Sequence, residues 1–336
     1  MRSPDIVTAE EILERAHVVA LPMAVRFRGV TTREALLIDG PHGWGEFSPF
    51  IEYAAPEASA WLRSGIEAAF EGLPHADGFV QVNGTVPAVT PGEVEGVLAR
   101  FPGVSTFKIK VAEKGQSLID DLARVRAVHT ARPDATLRID ANCAWSVDEA
   151  VEAARGFATI VDLEYMEQPC ATVEELAQLR YELHRIGLNT PVAADESIRR
   201  ATDPLRVAEL NAADVAVMKV APLGGVRAVA GLVERIVDKR GVRSVTVASA
   251  LDTAVGIAGG LVAAKLTESN AAGLATQRLF VEDVVAPREL FGGGLAVEPA
   301  VPDPDRLADL AAPAPRRDWW FTRVRQCCDY LESRSQ

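Results

Sequence analysis

The chain has 336 residues, of which 48% are hydrophobic and 24% are charged, and such a composition is typical of a folded globular protein. Its formal net charge of −12 argues against a nucleic-acid-binding protein, which would need a basic surface. No apolar run reaches membrane-spanning length and the N-terminus lacks a signal-peptide core, so we predict a cytoplasmic protein without membrane contacts.

The first quarter of the chain alternates apolar segments with glycine turns. Three segments predict a small antiparallel sheet, at residues 18–28, 34–38 and 43–47. The turns between them fall at Gly29 and Gly40, and residues 56–70 follow with helical periodicity. We therefore predict an α+β capping domain over residues 1–78, completed by the C-terminal segment 290–336.

From residue 79 onward, short apolar strands alternate with helical stretches. Eight strands are predicted at residues 80–83, 106–111, 136–140, 162–167, 192–194, 215–220, 245–248 and 271–274. Such βα units, repeated about every 25–30 residues, predict a parallel sheet, and eight strands predict its closure. We expect an α/β fold, a TIM-like (β/α)7β barrel over residues 79–289. The alternative is an open doubly wound sheet, but no GxGxxG or GxxxxGK[ST] phosphate loop is present.

Lysines occur at two predicted strand ends, where a barrel of this kind carries its active site. Lys108 and Lys110 alternate with apolar residues, so both point to one face of their strand. Lys219 is the single charge in the apolar strand at residues 215–220. Because burial disfavours the charged ammonium and lowers its pKa, such lysines can act as bases near neutral pH. The alternative for each is a strand-end lysine that reaches solvent.

Carboxylates end three successive strands between these lysines. They belong to Asp140, Glu167 and Asp195. A single acid after a strand is often a helix N-cap, but three in succession would bring oxygen ligands together as Mg²⁺ requires. Arg138 and Asn142 share the face of Asp140 and are candidate substrate-binding residues. Glu196 points away from its neighbour Asp195, so we expect it to support that ligand rather than to bind the metal itself.

Taken in order, these motifs resemble those of the enolase superfamily, in its muconate-lactonizing-enzyme-like subgroup. The matching segments are Lys108-Ile109-Lys110, Asp140-Ala141-Asn142, Glu167-Gln168-Pro169, Asp195-Glu196-Ser197 and Lys219. The glycine- and aromatic-rich residues 43–49 resemble the capping domain of that superfamily. Further segments resemble the o-succinylbenzoate synthase family of the menaquinone pathway, in its actinobacterial form, at residues 26–30, 45–50, 167–172, 222–226, 249–251 and 273–276.

The resemblance implies a magnesium-dependent syn dehydration of a small-molecule carboxylate, 2-succinyl-6-hydroxy-2,4-cyclohexadiene-1-carboxylate, to 2-succinylbenzoate. By this likeness, the three carboxylates at the strand ends bind Mg²⁺. Lys110 would take the proton next to the ring carboxylate and return it to the departing hydroxyl. Lys219 would stabilise the enediolate from the other face, and Lys108 would lie beside the carboxylate and the metal. Three loops would hold the succinyl tail, at Gly224, Ser249 and Gly273.

Other classes of protein are compatible with parts of this pattern. An N-succinylamino acid racemase or a dipeptide epimerase would use the same metal and lysine set. The predicted eighth strand end lacks the Asp-x-Asp expected of a dipeptide epimerase. A metal-free Schiff-base lyase would need one activated lysine but not three ordered carboxylates. A non-catalytic barrel would be expected to lose some of the six positions. We expect a monomer or a small homo-oligomer in each case.

Overall fold

The computed structural model describes residues 7–27, 29–201, 203–237 and 241–335. The strands are β1 (Ala16–Phe27), β2 (Val30–Gly40), β3 (Gly43–Phe47), β4 (Phe79–Gln81), β5 (Asn83–Val86), β6 (Thr106–Lys110), β7 (Thr136–Asp140), β8 (Tyr165–Glu167), β9 (Val192–Ala194), β10 (Val215–Met218), β11 (Ser244–Val247) and β12 (Gly294–Ala296). The α-helices are α1 (Ala9–Leu13), α2 (Ala55–Ile66), α3 (Val94–Leu98), α4 (Leu118–Ala131), α5 (Val147–Ala158), α6 (Val173–Arg185), α7 (Glu196–Arg199), α8 (Arg206–Glu209), α9 (Val226–Val237), α10 (Ala254–Leu266), α11 (Pro304–Asp309) and α12 (Ala314–Ser335). Within these ranges, none of the helices combines the length and apolar character that a membrane span requires.

A curled parallel sheet forms the centre of the molecule, with its seven strands in the order β5 to β11 as they occur in the chain. Short apolar strands such as β10 are buried on both faces, because helices cover one side and the opposite side faces the interior. Val, Ala and Met fill these positions, as expected for a strand that is buried on both faces and therefore continuously apolar. The predicted α/β barrel is therefore confirmed.

The eighth predicted strand takes a shorter form than expected. Residues 271–274 make no regular strand; instead Ala272 bridges to Val82 and Gly273 bridges to Ala248, both in parallel. The Gly273 amide donates to the Val247 carbonyl at 2.8 Å, while the Asn83 amide donates to the Ala272 carbonyl at 2.8 Å. This segment therefore joins the first and last strands of the sheet and closes it with two residues.

The first predicted strand of the barrel is divided in two. Residues 79–81 pair antiparallel with β12 near the C-terminus, and only Asn83–Val86 join β6 in the barrel sheet. The prediction of one strand at residues 80–83 was wrong in this respect, because a continuous apolar run does not reveal which neighbour each of its residues pairs with.

The N-terminal sheet, in the order β1–β2–β3, packs with α2 and the long terminal helix α12. The Trp320 indole of α12 is fully buried, lies edge-on to Phe47 at 5.6 Å between ring centroids and donates to Glu34 at 2.9 Å. The C-terminal segment thus packs on the N-terminal sheet. The boundaries at residues 78/79 and 289/290 stay a prediction.

Candidate active site

Parallel pairing brings the strand-end side chains to one edge of the barrel. Lys110, Asp140 and Glu167 are register partners on β6, β7 and β8. Asp195 follows the next strand directly, and Lys219 follows β10. Strands β6 and β10 are separated in the sheet by three strands, so the lysines flank the carboxylates on either side. Five consecutive strands therefore deliver acid and base groups to a single region.

The lysines form ion pairs with these carboxylates. Lys108 Nζ lies 2.8 Å from Glu167 Oε1 and 3.1 Å from Asp140 Oδ2. Lys110 Nζ lies 2.6 Å from the same Asp140 oxygen, and Lys219 Nζ lies 2.5 Å from Asp195 Oδ2. The carboxylates are almost entirely buried, so each negative charge is compensated by ammonium groups rather than by water.

The pKa values of this cluster move in opposite directions. Burial raises the pKa of Glu167 to about 7, and the neighbouring Asp140 charge adds to this. Burial would also raise the pKa of Asp140, but Lys110 and Lys108 hold it well below its ordinary value. Burial would lower the pKa of Lys108, yet Glu167 and Asp140 raise it above its ordinary value. The expectation that burial lowers the lysine pKa was therefore wrong for Lys108, because paired carboxylates outweigh desolvation there.

The donor set fits a divalent cation that prefers oxygen ligands. Within the described ranges, no three His, Cys, Asp or Glu side chains are already gathered around one point, since lysines lie between the carboxylates. However, the second oxygen of Glu167 is buried and has no hydrogen-bond partner. A buried carboxylate oxygen without a partner is costly, and a hard cation held together with Asp140 and Asp195 would satisfy it.

A cavity opens above this cluster, and its lining is shared between barrel and cap. The lining residues are Phe50, Thr85, Lys108, Lys110, Asp140, Arg199, Lys219, Ala248, Ser249, Ala250, Leu251, Gly273 and Thr276. Ser249 and Gly273, predicted to hold the substrate, therefore lie on the cavity. Phe50 is the contribution of the N-terminal region.

Other predicted residues lie at the edge of the cluster or away from it. Asn142 accepts from Lys110 at 2.6 Å and donates to Glu196 at 3.3 Å, so both support the cluster. Gly224 lies in a different groove with Arg227 and Tyr330. The structure thus separates Gly224 from the cavity, whose lining does not include it.

Arg138 also differs from its predicted place. Its side chain is fully buried and contacts Glu164 at 2.5 Å, Asn83 at 2.9 Å and the Ala271 carbonyl at 2.6 Å. These partners lie at or before the beginnings of their strands, whereas the cavity lies at the strand ends. The sequence shows that Arg138 shares a face with Asp140, but not that it lies farther from the cavity. Residues two apart on a strand lie almost 7 Å apart along it.

Sequence reasoning missed two residues that shape the cluster. Arg199 donates to Asp195 at 3.0 Å, to Glu196 at 2.7 Å and to the Tyr53 hydroxyl at 3.2 Å, and it lines the cavity. Gln168 accepts from the backbone N–H of Asp195 at 2.9 Å. The signal for Arg199 was its spacing, because i,i+4 places it one helical turn after Asp195.

Comparisons with known families agree with this fold. A family model described as enolase N-terminal domain-like matches residues 18–69, and one described as enolase C-terminal domain-like matches residues 94–300. The muconate lactonizing enzyme of Pseudomonas fluorescens, in complex with muconolactone, superposes with a TM-score of 0.71 at 21% identity, covering 89% of this chain and 98% of that one. The chain is therefore a member of the enolase superfamily.

Curated relatives narrow this assignment. An o-succinylbenzoate synthase from Mycolicibacterium smegmatis is 57% identical over 321 residues, covering 95% of this chain and 96% of the relative. Another from Mycobacterium marinum is 52% identical and covers 99% of both chains, and one from Mycobacterium tuberculosis is 52% identical and covers 98% of both. Within its superfamily the chain belongs to the o-succinylbenzoate synthase family.

Proposed function

We propose that this protein is an o-succinylbenzoate synthase, a hydro-lyase that removes water from 2-succinyl-6-hydroxy-2,4-cyclohexadiene-1-carboxylate to give 2-succinylbenzoate. The observation that carries the proposal is the placement of Lys110 and Lys219 on one cavity, from opposite sides of three buried carboxylates. The relatives at 51–57% identity support the choice of substrate. We also propose that the enzyme acts in the cytoplasm.

Proton transfer requires a base next to the carbon that carries the substrate carboxylate. In the proposal, Lys110 in its neutral form takes this proton and then protonates the departing hydroxyl on the same face. Its contacts with Asp140 and Asn142 fix Nζ at the cavity wall. Lys219, on the opposite wall, places a positive charge where the enediolate forms. Lys108 adds a second positive charge between Asp140 and Glu167.

The three carboxylates are the proposed ligands of a Mg²⁺ ion. Bound there, the ion would neutralise negative charge on the substrate carboxylate. Gln168 and Arg199 orient the Asp195 end of the set, since one accepts from its amide and the other donates to its carboxylate. Glu196 contacts Arg199 and Asn142, and in the proposal these contacts hold it away from the metal that Asp195 binds. These contacts support the choice of Asp140, Glu167 and Asp195 as the ligands.

The purified protein should be assayed with the cyclohexadiene substrate and, separately, with single enantiomers of N-succinylamino acids. We expect the aromatic product to form as the ultraviolet absorbance of the conjugated diene falls, at a rate proportional to enzyme concentration. Racemisation of the amino acids without any dehydration would refute the proposal and support the racemase alternative. Lys110→Met serves as the matched control, because it should abolish the absorbance change in the same preparation.

A further inference from the structure

The loop after β11 forms one wall of the cavity and adopts an unusual backbone conformation. Ser249, Ala250 and Leu251 all line the cavity. Leu251 has a φ of +62°, in the left-handed region that its Cβ disfavours. A residue other than glycine remains in this region only where its surroundings hold it. Neighbouring groups must therefore hold Leu251 in this conformation.

A buried arginine of the capping sheet contacts this loop directly. Arg33 lies on β2, is 4% exposed, and donates from Nε to the Leu251 carbonyl at 3.0 Å. One of its terminal nitrogens is 3.4 Å from the Ala250 carbonyl. The guanidinium therefore bonds two successive carbonyls around the strained residue, and it reaches them from the cap rather than from the barrel.

The same guanidinium also holds the part of the cap that faces the cavity. It donates to the carbonyl of Ser48 and, at 3.1 Å, to the Ser48 hydroxyl. It lies over the ring of Phe50, 4.6 Å from the ring centroid, and Phe50 lines the cavity. Arg33 thus bonds to both walls without lining the cavity itself.

A second cap residue fixes the far end of the loop. Glu46 on β3 accepts from the Thr253 amide at 3.0 Å, from the Thr253 hydroxyl at 2.6 Å and from the Gly256 amide at 2.9 Å. These groups lie at the N-terminus of α10, where unpaired amides favour a carboxylate. The loop is therefore attached to the cap at both of its ends.

We propose that Arg33 is a positioning residue for substrate binding: by joining the Ala250 and Leu251 carbonyls to Ser48 and Phe50, it sets the distance between two cavity walls. The proposal rests on the proposed function, since those walls would contact the part of the substrate remote from the reacting carbon. Lys110 and Lys219 lie on other strands, so loss of Arg33 should affect the binding of substrate more than the chemical step.

The test compares Arg33→Met and Arg33→Lys with the wild type in the dehydration assay. We expect KM to rise about tenfold or more in Arg33→Met while kcat falls less than about threefold. Arg33→Lys keeps a donor and should show a smaller rise in KM. Arg180→Met, which removes an ion pair with Asp214 outside the cavity, is the matched control and should leave KM unchanged.

A second variant tests the link to the strained residue. Asparagine adopts the left-handed region more readily than leucine, so Leu251→Asn should reduce the need for Arg33. In the Leu251→Asn background, Arg33→Met should therefore raise KM by a smaller factor than in the wild-type background. Equal factors in the two backgrounds would overturn this link.

The outcomes separate the inference from the proposed function. If the wild type dehydrates the substrate and Arg33→Met keeps its KM, the inference is wrong and the function stands. If the wild type does not dehydrate the substrate, the proposed function fails first. Should Arg33→Met not fold, Arg33→Lys decides the question, with a KM rise of about threefold or more supporting the inference and an unchanged KM refuting it.

Discussion

Replacing Arg138 by methionine tests where this side chain acts. The guanidinium is fully buried and contacts the Glu164 carboxylate, the Asn83 amide oxygen and the Ala271 carbonyl. Methionine fills most of the volume but donates no hydrogen bond. The substitution therefore leaves the Glu164 charge and two buried oxygens without their donor, at the place where residues 271–274 close the barrel.

The size of the effect follows from these partners. Breaking a buried ion pair costs about 3–5 kcal/mol, and each buried acceptor left unpaired costs about 1–3 kcal/mol. The Glu164 side chain is 32% exposed, so water recovers part of its loss and the lower end of the range applies. We expect the free energy of unfolding to fall by about 5 kcal/mol, the lower ends of these three costs taken together. Urea unfolding followed by fluorescence measures this change.

Enzyme activity distinguishes a structural role of Arg138 from the substrate-binding role that the sequence predicts. If Arg138 supports the strands below the cavity, the KM of the folded variant should stay within about twofold of the wild-type KM. A large rise in KM with unchanged stability would refute the structural placement and restore Arg138 as a substrate-binding residue. Arg155→Met, on an exposed face of α5, is the control and should change stability by less than about 0.5 kcal/mol.

Three further substitutions test the chemistry and the electrostatics. Lys110→Met and Lys219→Met should each lower kcat by about 100-fold or more in protein that circular dichroism shows to be folded, and near-native rates in both would refute the mechanism. Asp283 is buried, which raises its pKa to about 6, so the folded state binds a proton more tightly than the unfolded chain does. This carboxyl therefore favours folding at low pH, and the contribution is lost as the pH rises from about 4 to 6. When the pH is lowered from 8 to 5, the free energy of unfolding measured by urea titration should increase by roughly 1 kcal/mol more in the wild type than in Asp283→Asn. Identical pH profiles for the two proteins would contradict a raised pKa for Asp283.

The repeating strands and helices could be predicted because each has its own local signal. Apolar runs such as Val215–Met218 end in a single charge, and the Ser and Thr caps begin helices where their hydroxyls accept backbone amides. The pairing of each strand was less accessible. Residues 271–274 form only two bridges, and a Cβ placed on Gly273 would lie 3.0 Å from the Ala248 Cβ; neither this pairing nor this close approach is visible in the sequence.

The predicted strand ends also indicated which charged side chains lie close together. They did not indicate how far each side chain lies from the cavity. Asp140 and Lys110 were predictable from register, since both are the last residues of their strands. Arg138 and Gly224 were not, because one lies below the cavity and the other faces a different groove. The role of Arg33 was hidden for another reason: its partners at residues 250 and 251 lie more than 200 positions away in the chain.

In the proposed enzyme, the cavity lysines and carboxylates act together only when a divalent ion is bound. Removing that ion tests this claim most directly. The rate of 2-succinylbenzoate formation should be measured before chelation, after EDTA treatment and dialysis, and after Mg²⁺ is added back. We expect the chelated enzyme to lose activity and Mg²⁺ to restore it, whereas Asp195→Asn should respond weakly to the same addition. Full activity in the chelated enzyme would contradict a metal held by Asp140, Glu167 and Asp195.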